Sequence, residues 1–454
     1  MLLSNIMLVL ALMILGAGLA AQGKDQVRRS PCSFFWGALF LVLFILFPLI
    51  LNFFFGFALS IRGDLLTFEA GYIVYGLTVL VFCLVYSFRV FLERGRDPGV
   101  GHLNRAESAE GKGWDVASPV EKQVFTLCGF MVPLGLMIYV KGTGLSLAEL
   151  MIASRFEWYA RETVSGVYLN LGMYSLGLIS IFTYYDVRFG MPRKWLSFIV
   201  YGTILFTIFL SGGRKWLLFM ASGGVVGFYD SHGGTFPLTR KLATWLLVVG
   251  GLVFMLQFGR AVTWDDPASR ERAAEAVVEV IPVLFVEGDA TYFYRASLDA
   301  IRLNMEEGEL YPLAIVRRIL LLPFPDNWTG GLKPEGVPFL FSDKMDAGNE
   351  IRRGNMPPGL VGLFVLSFGW WLTPLLLFPL LVPLLGALDN LVKDHSGVLR
   401  NSFFASFPLA SILLMRGSTG GIYILVFNCG VTLAAMALFR LGRTCSRPAA
   451  PVTN

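Results

Sequence analysis

Six arginines and a handful of carboxylates have the residue types and spacing to do chemistry in this chain. Arg214 stands in Leu210-Ser211-Gly212-Gly213-Arg214-Lys215, and Arg416 in Met415-Arg416-Gly417-Ser418-Thr419-Gly420-Gly421, two short turns between apolar segments. Arg260 ends another apolar segment and opens the longest hydrophilic stretch, which also holds Arg295 and the pair Arg317-Arg318. A guanidinium grips phosphate oxygens bidentately and keeps its charge, which suits a diphosphate. Two glycines before Arg214 let the backbone turn tightly while the side chain points back toward the helices. An arginine at a membrane boundary can also simply snorkel to the headgroups. Three at turns on one side, joined by three in the adjoining loop, favour a site for an anion, because charge there is costly.

The carboxylates are less distinctive. Glu287-Gly288-Asp289 precedes Thr291-Tyr292-Phe293-Tyr294-Arg295, and Asp343, Asp346 and Glu350 precede Pro357-Pro358. A carboxylate beside a sugar hydroxyl can accept its proton, which makes Glu287, Asp289 and Glu350 candidates for a general base. Taken singly, each is more simply a solvated acid or the partner of a neighbour such as Arg352 or Arg353. Arg155, with Trp158, Tyr159 and Arg161, is a candidate for holding an acceptor or its lipid. Tyr292, Tyr294 and Trp328 are candidates for stacking on sugars, and Lys333 for binding them.

These residues need a scaffold, and composition says which kind. The chain has 454 residues, of which 55% are hydrophobic, 14% aromatic and only 15% charged. With a mean hydropathy of +0.64, it is excluded from the ordinary soluble class. Apolar runs of roughly 17–25 residues recur along the whole length, the signature of bilayer-spanning helices. Spans are expected at 3–21, 33–60, 70–91, 123–140, 166–186, 196–211, 214–229, 242–259, 372–389, 401–415 and 419–439, about eleven in all. The fold class is therefore an all-α integral membrane protein with one large loop. The first apolar run resembles a signal-peptide core but has no basic leader, so it is read as the first span.

The stretch 357–371 begins Pro-Pro, carries three glycines and ends Trp370-Trp371. It is short for a span and suits an interfacial or re-entrant helix. With it left out of the count, one set of loops gathers Lys24, Arg28, Arg29, Arg94, Arg96, Arg188, Arg193, Lys194, Arg240, Lys241, Lys393, Arg400 and Arg443. That side is cytoplasmic by the positive-inside rule, with the N-terminus outside and the C-terminus inside. Arg214, Arg260 and Arg416 then lie on the outer face. The organisation reads as a bundle over 1–259, a large outer loop over 260–371 with amphipathic pieces at 273–286 and 290–304, and C-terminal spans over 372–454.

Other chemistries find little support. Cys32, Cys83, Cys128, Cys429 and Cys445 show no disulfide or zinc spacing. His102, His232 and His395 all fall on the cytoplasmic side, so an outer-face reaction has no histidine base. No Walker loop, dinucleotide fingerprint or metal-ligand cluster is present, and nothing calls for nucleic acid. The energy for any transfer must come with the substrate. The sequon Asn327-Trp328-Thr329 is read as accidental.

Three stretches resemble the bacterial Wzy-type oligosaccharide repeat-unit polymerases of O-antigen and exopolysaccharide synthesis. They are the Ser211-Gly212-Gly213-Arg214 turn; Tyr311-Pro312-Leu313 with Arg317-Arg318-Ile319-Leu320-Leu321-Leu322-Pro323-Phe324-Pro325 and Lys333-Pro334; and Pro357-Pro358-Gly359-Leu360-Val361-Gly362 running to Phe368-Gly369. Order and spacing fit over roughly 210–370. The chain departs from the family pattern at Leu363, where a glutamate is common, and at Ser367, where an asparagine is usual.

The resemblance implies a GT-C-like, metal-independent glycosyltransferase without a cofactor, in the bacterial inner membrane with its site facing the periplasm. Its substrates would be undecaprenyl-diphosphate-linked oligosaccharides, one as donor and one as acceptor, joined with inversion. Membrane lipid surrounds it, and the resemblance leaves room for a chain-length regulator and a flippase as partners. Arg214, Arg260 and Arg416 would bind diphosphate, with Arg295, Arg317 and Arg318 beside them. Two alternatives stay open. An O-antigen ligase shares the architecture but usually carries an outer-face histidine. A lipid-linked oligosaccharide transporter or flippase would need charges at mid-depth and matched broken helices.

Overall fold

The computed structural model describes residues 71, 73–82, 84–85, 114–146, 149, 166–190, 194–211, 215–232, 289–308, 358–393, 397–417 and 420–445, with 311, 317–318, 320–321, 329–334, 337, 340–341 and 344 between them. Every regular element among them is helical. In chain order these are α1 (Ile73–Phe82), then α2 (Pro119–Thr143), α3 (Gly166–Gly177), α4 (Ile179–Phe189), α5 (Lys194–Ser211) and α6 (Lys215–Ser231). There follow α7 (Asp289–Glu307), α8 (Gly359–Phe368), α9 (Thr373–Lys393), α10 (Gly397–Met415) and α11 (Gly420–Cys445). The spans expected at 3–21, 33–60 and 242–259 and the amphipathic piece 273–286 lie outside the described residues.

Local chemistry fixes the helix ends. At the start of α2 the Glu121 N–H donates to Ser118 Oγ at 3.2 Å, and the Ser118 N–H donates to Glu121 Oε2 at 2.8 Å. This reciprocal capping box, with Pro119 in the first turn, satisfies donors that a helix start leaves open. Gly144 closes the helix in the left-handed conformation at φ +69°. Between them the residues are apolar enough to cross a membrane. The same holds for Val167–Phe189, which joins α3 to α4, and for Gly420–Leu441 within α11. A fourth candidate is the pair Gly359–Phe368 and Thr373–Leu381, bent by 114°, with the geometry of a broken span or a re-entrant loop. The architecture is that of a helical membrane protein.

The span expected over 166–186 is the candidate span Val167–Phe189, within which α3 passes into α4. They meet at Leu178, whose N–H turns back to the Ser175 carbonyl at 3.2 Å.

The chain forms two compact units. One comprises 101–257, 390–409 and 422–454. Here backbones approach closely because glycines line the contacts. A Cβ on Gly172 would lie 2.6 Å from the Tyr139 nitrogen, and one on Gly142 at 2.6 Å from the Leu169 nitrogen, so α2 and α3 touch backbone to backbone. On α6, Gly223 and Gly227 meet the carbonyl oxygens of Ser180 and Tyr184 on α4. The interior also carries polar side chains that bond one another in place of water. Asn428 Nδ2 donates to Ser406 Oγ at 2.7 Å, Thr432 Oγ1 to Ser402 Oγ at 2.9 Å, and Ser222 Oγ to the Ala405 carbonyl at 2.8 Å.

A charged knot ties helix ends in this unit. Arg188 Nη1 donates to the Tyr184 hydroxyl at 2.6 Å, and that hydroxyl donates to Asp230 Oδ2, also at 2.6 Å. Glu121 and Asp230 each place an oxygen 3.9 Å from the same Arg188 nitrogen. Asn401 at the start of α10 donates to Glu121 at 3.4 Å. Arg188→Met would leave two half-buried carboxylates facing each other, and we expect a loss of about 2 kcal/mol. Thermal denaturation in detergent checks this; an unchanged midpoint would mean the knot adds nothing net.

The other unit comprises 1–100, 258–389 and 410–421. Its centre is α7 packed along α8. Ala296, Ala300 and Leu303 of α7 meet Leu363 and Leu366 of α8, with Val337 and Phe341 closing the cluster and Tyr311 against its edge. The α7 positions recur every three or four residues, the spacing of one helix face.

Candidate functional site

In this second unit three separate stretches of sequence meet. The turn after α10 ends at Gly417, whose N–H donates to the Leu414 carbonyl at 2.8 Å with φ +77°. Gly417 lies against the backbone of Gly359: a Cβ there would stand 2.6 Å from the Gly359 oxygen, and its positive φ also favours glycine. The Gly359 N–H donates to the Arg416 carbonyl at 3.2 Å, which fastens the arginine turn to the first residue of α8. Arg416 itself is half-buried, and its guanidinium carbon lies 5.0 Å from the Phe293 ring centroid on α7. A cation held over an aromatic face keeps its charge and is fixed in position.

Ser297 ties the other side of the same junction. The pair Pro357-Pro358 leaves α8 without a side-chain cap of its own, as Pro358 offers none. Ser297 Oγ, one turn beyond Phe293, accepts from the Gly362 N–H at 3.2 Å. Its single proton lies between the carbonyl oxygens of Pro358 at 2.7 Å and Phe293 at 2.8 Å. Ser297 therefore fastens the first turn of α8 to α7. Ser297→Ala would remove the hydroxyl that joins α7 to the Pro358 carbonyl and the Gly362 N–H, at a cost of about 0.5–1.5 kcal/mol. A lower thermal midpoint in detergent is the expected result, and no shift would show the hydroxyl to be dispensable.

The far end of α8 is fixed as well. The Trp370 N–H donates to Asn304 Oδ1 of α7 at 3.1 Å, and Thr373 Oγ1 donates to the Gly369 carbonyl at 2.8 Å. The Tyr311 N–H donates to the Leu366 carbonyl at 2.6 Å.

The other nominated residues divide clearly. Arg295 is half-buried on α7, and its Nε is fully buried with no hydrogen-bond partner. Arg318 Nη1 donates to the Pro334 carbonyl at 2.7 Å, closing the stretch between the arginine pair and Lys333. Arg317 is exposed and Lys333 half-buried. Tyr294 is 1% exposed and packs edge-on against Tyr75 at 4.6 Å, which gives its ring to the core and not to a sugar face. Asp289 opens α7 and Tyr292 lies in its first turn. Arg155, Arg214, Arg260, Glu287, Trp328 and Glu350 lie outside the described residues.

No protein-family model, curated protein or solved structure matches the chain. Phe293, Ser297, Asn304 and Gly417 were not nominated by sequence reasoning. The i, i+4 spacing of Phe293 and Ser297 on an amphipathic helix was the available signal, and it marks a face without naming a partner.

Arg416 and Arg295 give this unit two fixed cations, one on a turn and one on α7. Such an arrangement can bind anionic oxygens and stabilise negative charge that develops on a leaving group.

Proposed function

We propose that the protein polymerises undecaprenyl-diphosphate-linked oligosaccharide repeat units on the periplasmic face of the bacterial inner membrane. The supporting observation is the junction itself. The Arg416 turn, the Pro-Pro-Gly start of α8 and the loop helix carrying Arg295 come together in one compact unit. Two of these belong to the stretches on which cationic chemistry and family resemblance were independently read.

In the reaction the non-reducing-end hydroxyl of one lipid-linked unit attacks sugar C1 of another. The new O–C1 bond forms as the bond from C1 to the diphosphate oxygen breaks, with inversion. The hydroxyl proton passes to a base, for which Glu287, Asp289 and Glu350 are candidates, and undecaprenyl diphosphate departs with the electron pair. Arg416 neutralises the charge that grows on that diphosphate, where a fixed donor is most effective. A GT-C-like bundle of about eleven spans, N-terminus out and C-terminus in, would hold this site at the outer surface.

The test is incubation of the purified full chain with its lipid-linked repeat unit. A ladder of products spaced by one repeat supports the reading. Absence of a ladder with competent substrate removes it in favour of a ligase or a transporter.

A further inference from the structure

We propose that Phe293 is a positioning residue: the electron-rich face of its ring, rather than its bulk, aims the Arg416 guanidinium at the anion it serves. That this anion is a departing diphosphate rests on the polymerase reading; the aiming of the side chain does not.

The ring and the arginine are both referenced to Gly359. Phe293 is 2% exposed, and its carbonyl accepts from Ser297 Oγ at 2.8 Å. A Cβ on Gly359 would stand 2.9 Å from that carbonyl oxygen and 3.4 Å from the Phe293 Cβ, so the start of α8 lies directly against the phenylalanine. The same Gly359 donates its N–H to the Arg416 carbonyl at 3.2 Å, and its backbone also meets Gly417. With both backbones held, what is left to fix is the arginine's long side chain. Its guanidinium carbon lies 5.0 Å from the ring centroid, within range of the ring's quadrupole.

Chemistry separates this role from packing. An aliphatic side chain of similar size would fill the space and attract no charge. A ring face attracts the cation and offsets part of the hydration it loses at a half-buried position. A carboxylate in its place would take two N–H donors and cancel the charge. An aromatic support therefore holds a guanidinium in place while leaving it donors for an oxyanion. Such preorganisation matters when charge grows in the transition state, since a donor already in place needs no reorganisation.

The experiment replaces Phe293 in the full chain with phenylalanines carrying one, two and three fluorines. Each fluorine withdraws electron density from the ring face and barely alters its shape. The logarithm of the ladder rate at saturating substrate should fall in step with fluorine count, by about tenfold at three. KM and the thermal midpoint should change little, because the lost interaction is made in the transition state. A rate that ignores fluorination in folded protein overturns the proposal and leaves Phe293 as packing. Should the trifluorinated ring melt early, the monofluorinated one is read instead, with a loss of about twofold expected.

A second readout needs no substrate. Phenylglyoxal modifies arginine, and mass spectrometry of the peptide holding Arg416 follows its rate in lipid nanodiscs. A guanidinium loosened from the ring should react faster along the same fluorinated series. A rate of modification that stays flat overturns the aiming. Faster modification in a chain whose wild type makes no ladder would leave the positioning intact and sink the polymerase.

Discussion

Arg416→Gln is expected to lower polymer formation by about 10²–10³-fold, the loss typical when one donor to a developing oxyanion is removed. Glutamine keeps a hydrogen-bonding tip on a shorter side chain and supplies no charge. The turn should survive the change, since its contacts with Gly359 run through the Arg416 carbonyl and the Gly417 backbone and not through the side chain. Rate and fold can therefore be read apart. The measurement is the initial rate of ladder formation at saturating substrate, with the thermal midpoint recorded on the same preparation. A rate reduced by less than about tenfold would take Arg416 out of the chemical step. An equal loss in Arg416→Lys would point to the guanidinium's paired geometry, since lysine restores only the charge.

The largest effect on stability is expected at Gly223→Ala. Judged by helix propensity alone, the change should stabilise α6 by about 1 kcal/mol. Packing decides otherwise. The added methyl would overlap the carbonyl oxygen of Ser180, with the Ser180 carbonyl carbon at 2.7 Å. Backbone cannot rotate out of the way as a side chain can, so α4 and α6 must separate. Overpacking of this kind costs about 1–3 kcal/mol, and a backbone obstacle puts it at the upper end. Separation would also stretch the bond between Tyr184 and Asp230 one turn further on. Thermal denaturation in detergent should show a clear fall for Gly223→Ala and little change for Gly224→Ala, whose Cβ would meet only a Thr183 methyl at 3.5 Å. A stabilised Gly223→Ala would mean that the two helices are not in backbone contact.

Much of the helix pattern was legible in the residues. Apolar periodicity and its Gly-Gly interruption place a boundary between α5 and α6, and the amphipathic run 290–304 lies within α7. The Pro-Pro pair and Gly369 bracket α8 because both restrict what a helix can continue through. The tightened turn at Leu178 was not legible. It follows an isolated glycine, a residue that helices tolerate and that alone does not announce an end. The arrangement of the nominated residues was not legible. Charge placement singled out Arg416 and Arg295, each in a local window. That Arg416 would stack on Phe293, more than a hundred positions earlier, is a long-range pairing with no local signature. Ser297 was silent for the same reason: its partners at the start of α8 lie 61 and 65 positions away in sequence. Tyr294 misled in the opposite direction, because an aromatic beside an arginine looks like a sugar platform until its neighbour Tyr75 is seen.

The bent pair α8–α9 carries a consequence for the surrounding bilayer. Ten residues of α8 extend about 15 Å, half the hydrocarbon thickness of a typical membrane. A helix too short to cross is tolerated in hydrocarbon only where protein meets its last backbone groups. Asn304 and Thr373 do so here, and Ser297 does the same at the other end. Both ends of the short helix are thus moored, chiefly to α7, and it cannot slide or tilt alone to relieve hydrophobic mismatch. A thinner or thicker bilayer must shift the two helices together, carrying Arg295 and the ring beneath Arg416 with them. Acyl-chain length should therefore act on turnover as a mechanical variable, with an optimum thickness beyond which activity falls on both sides.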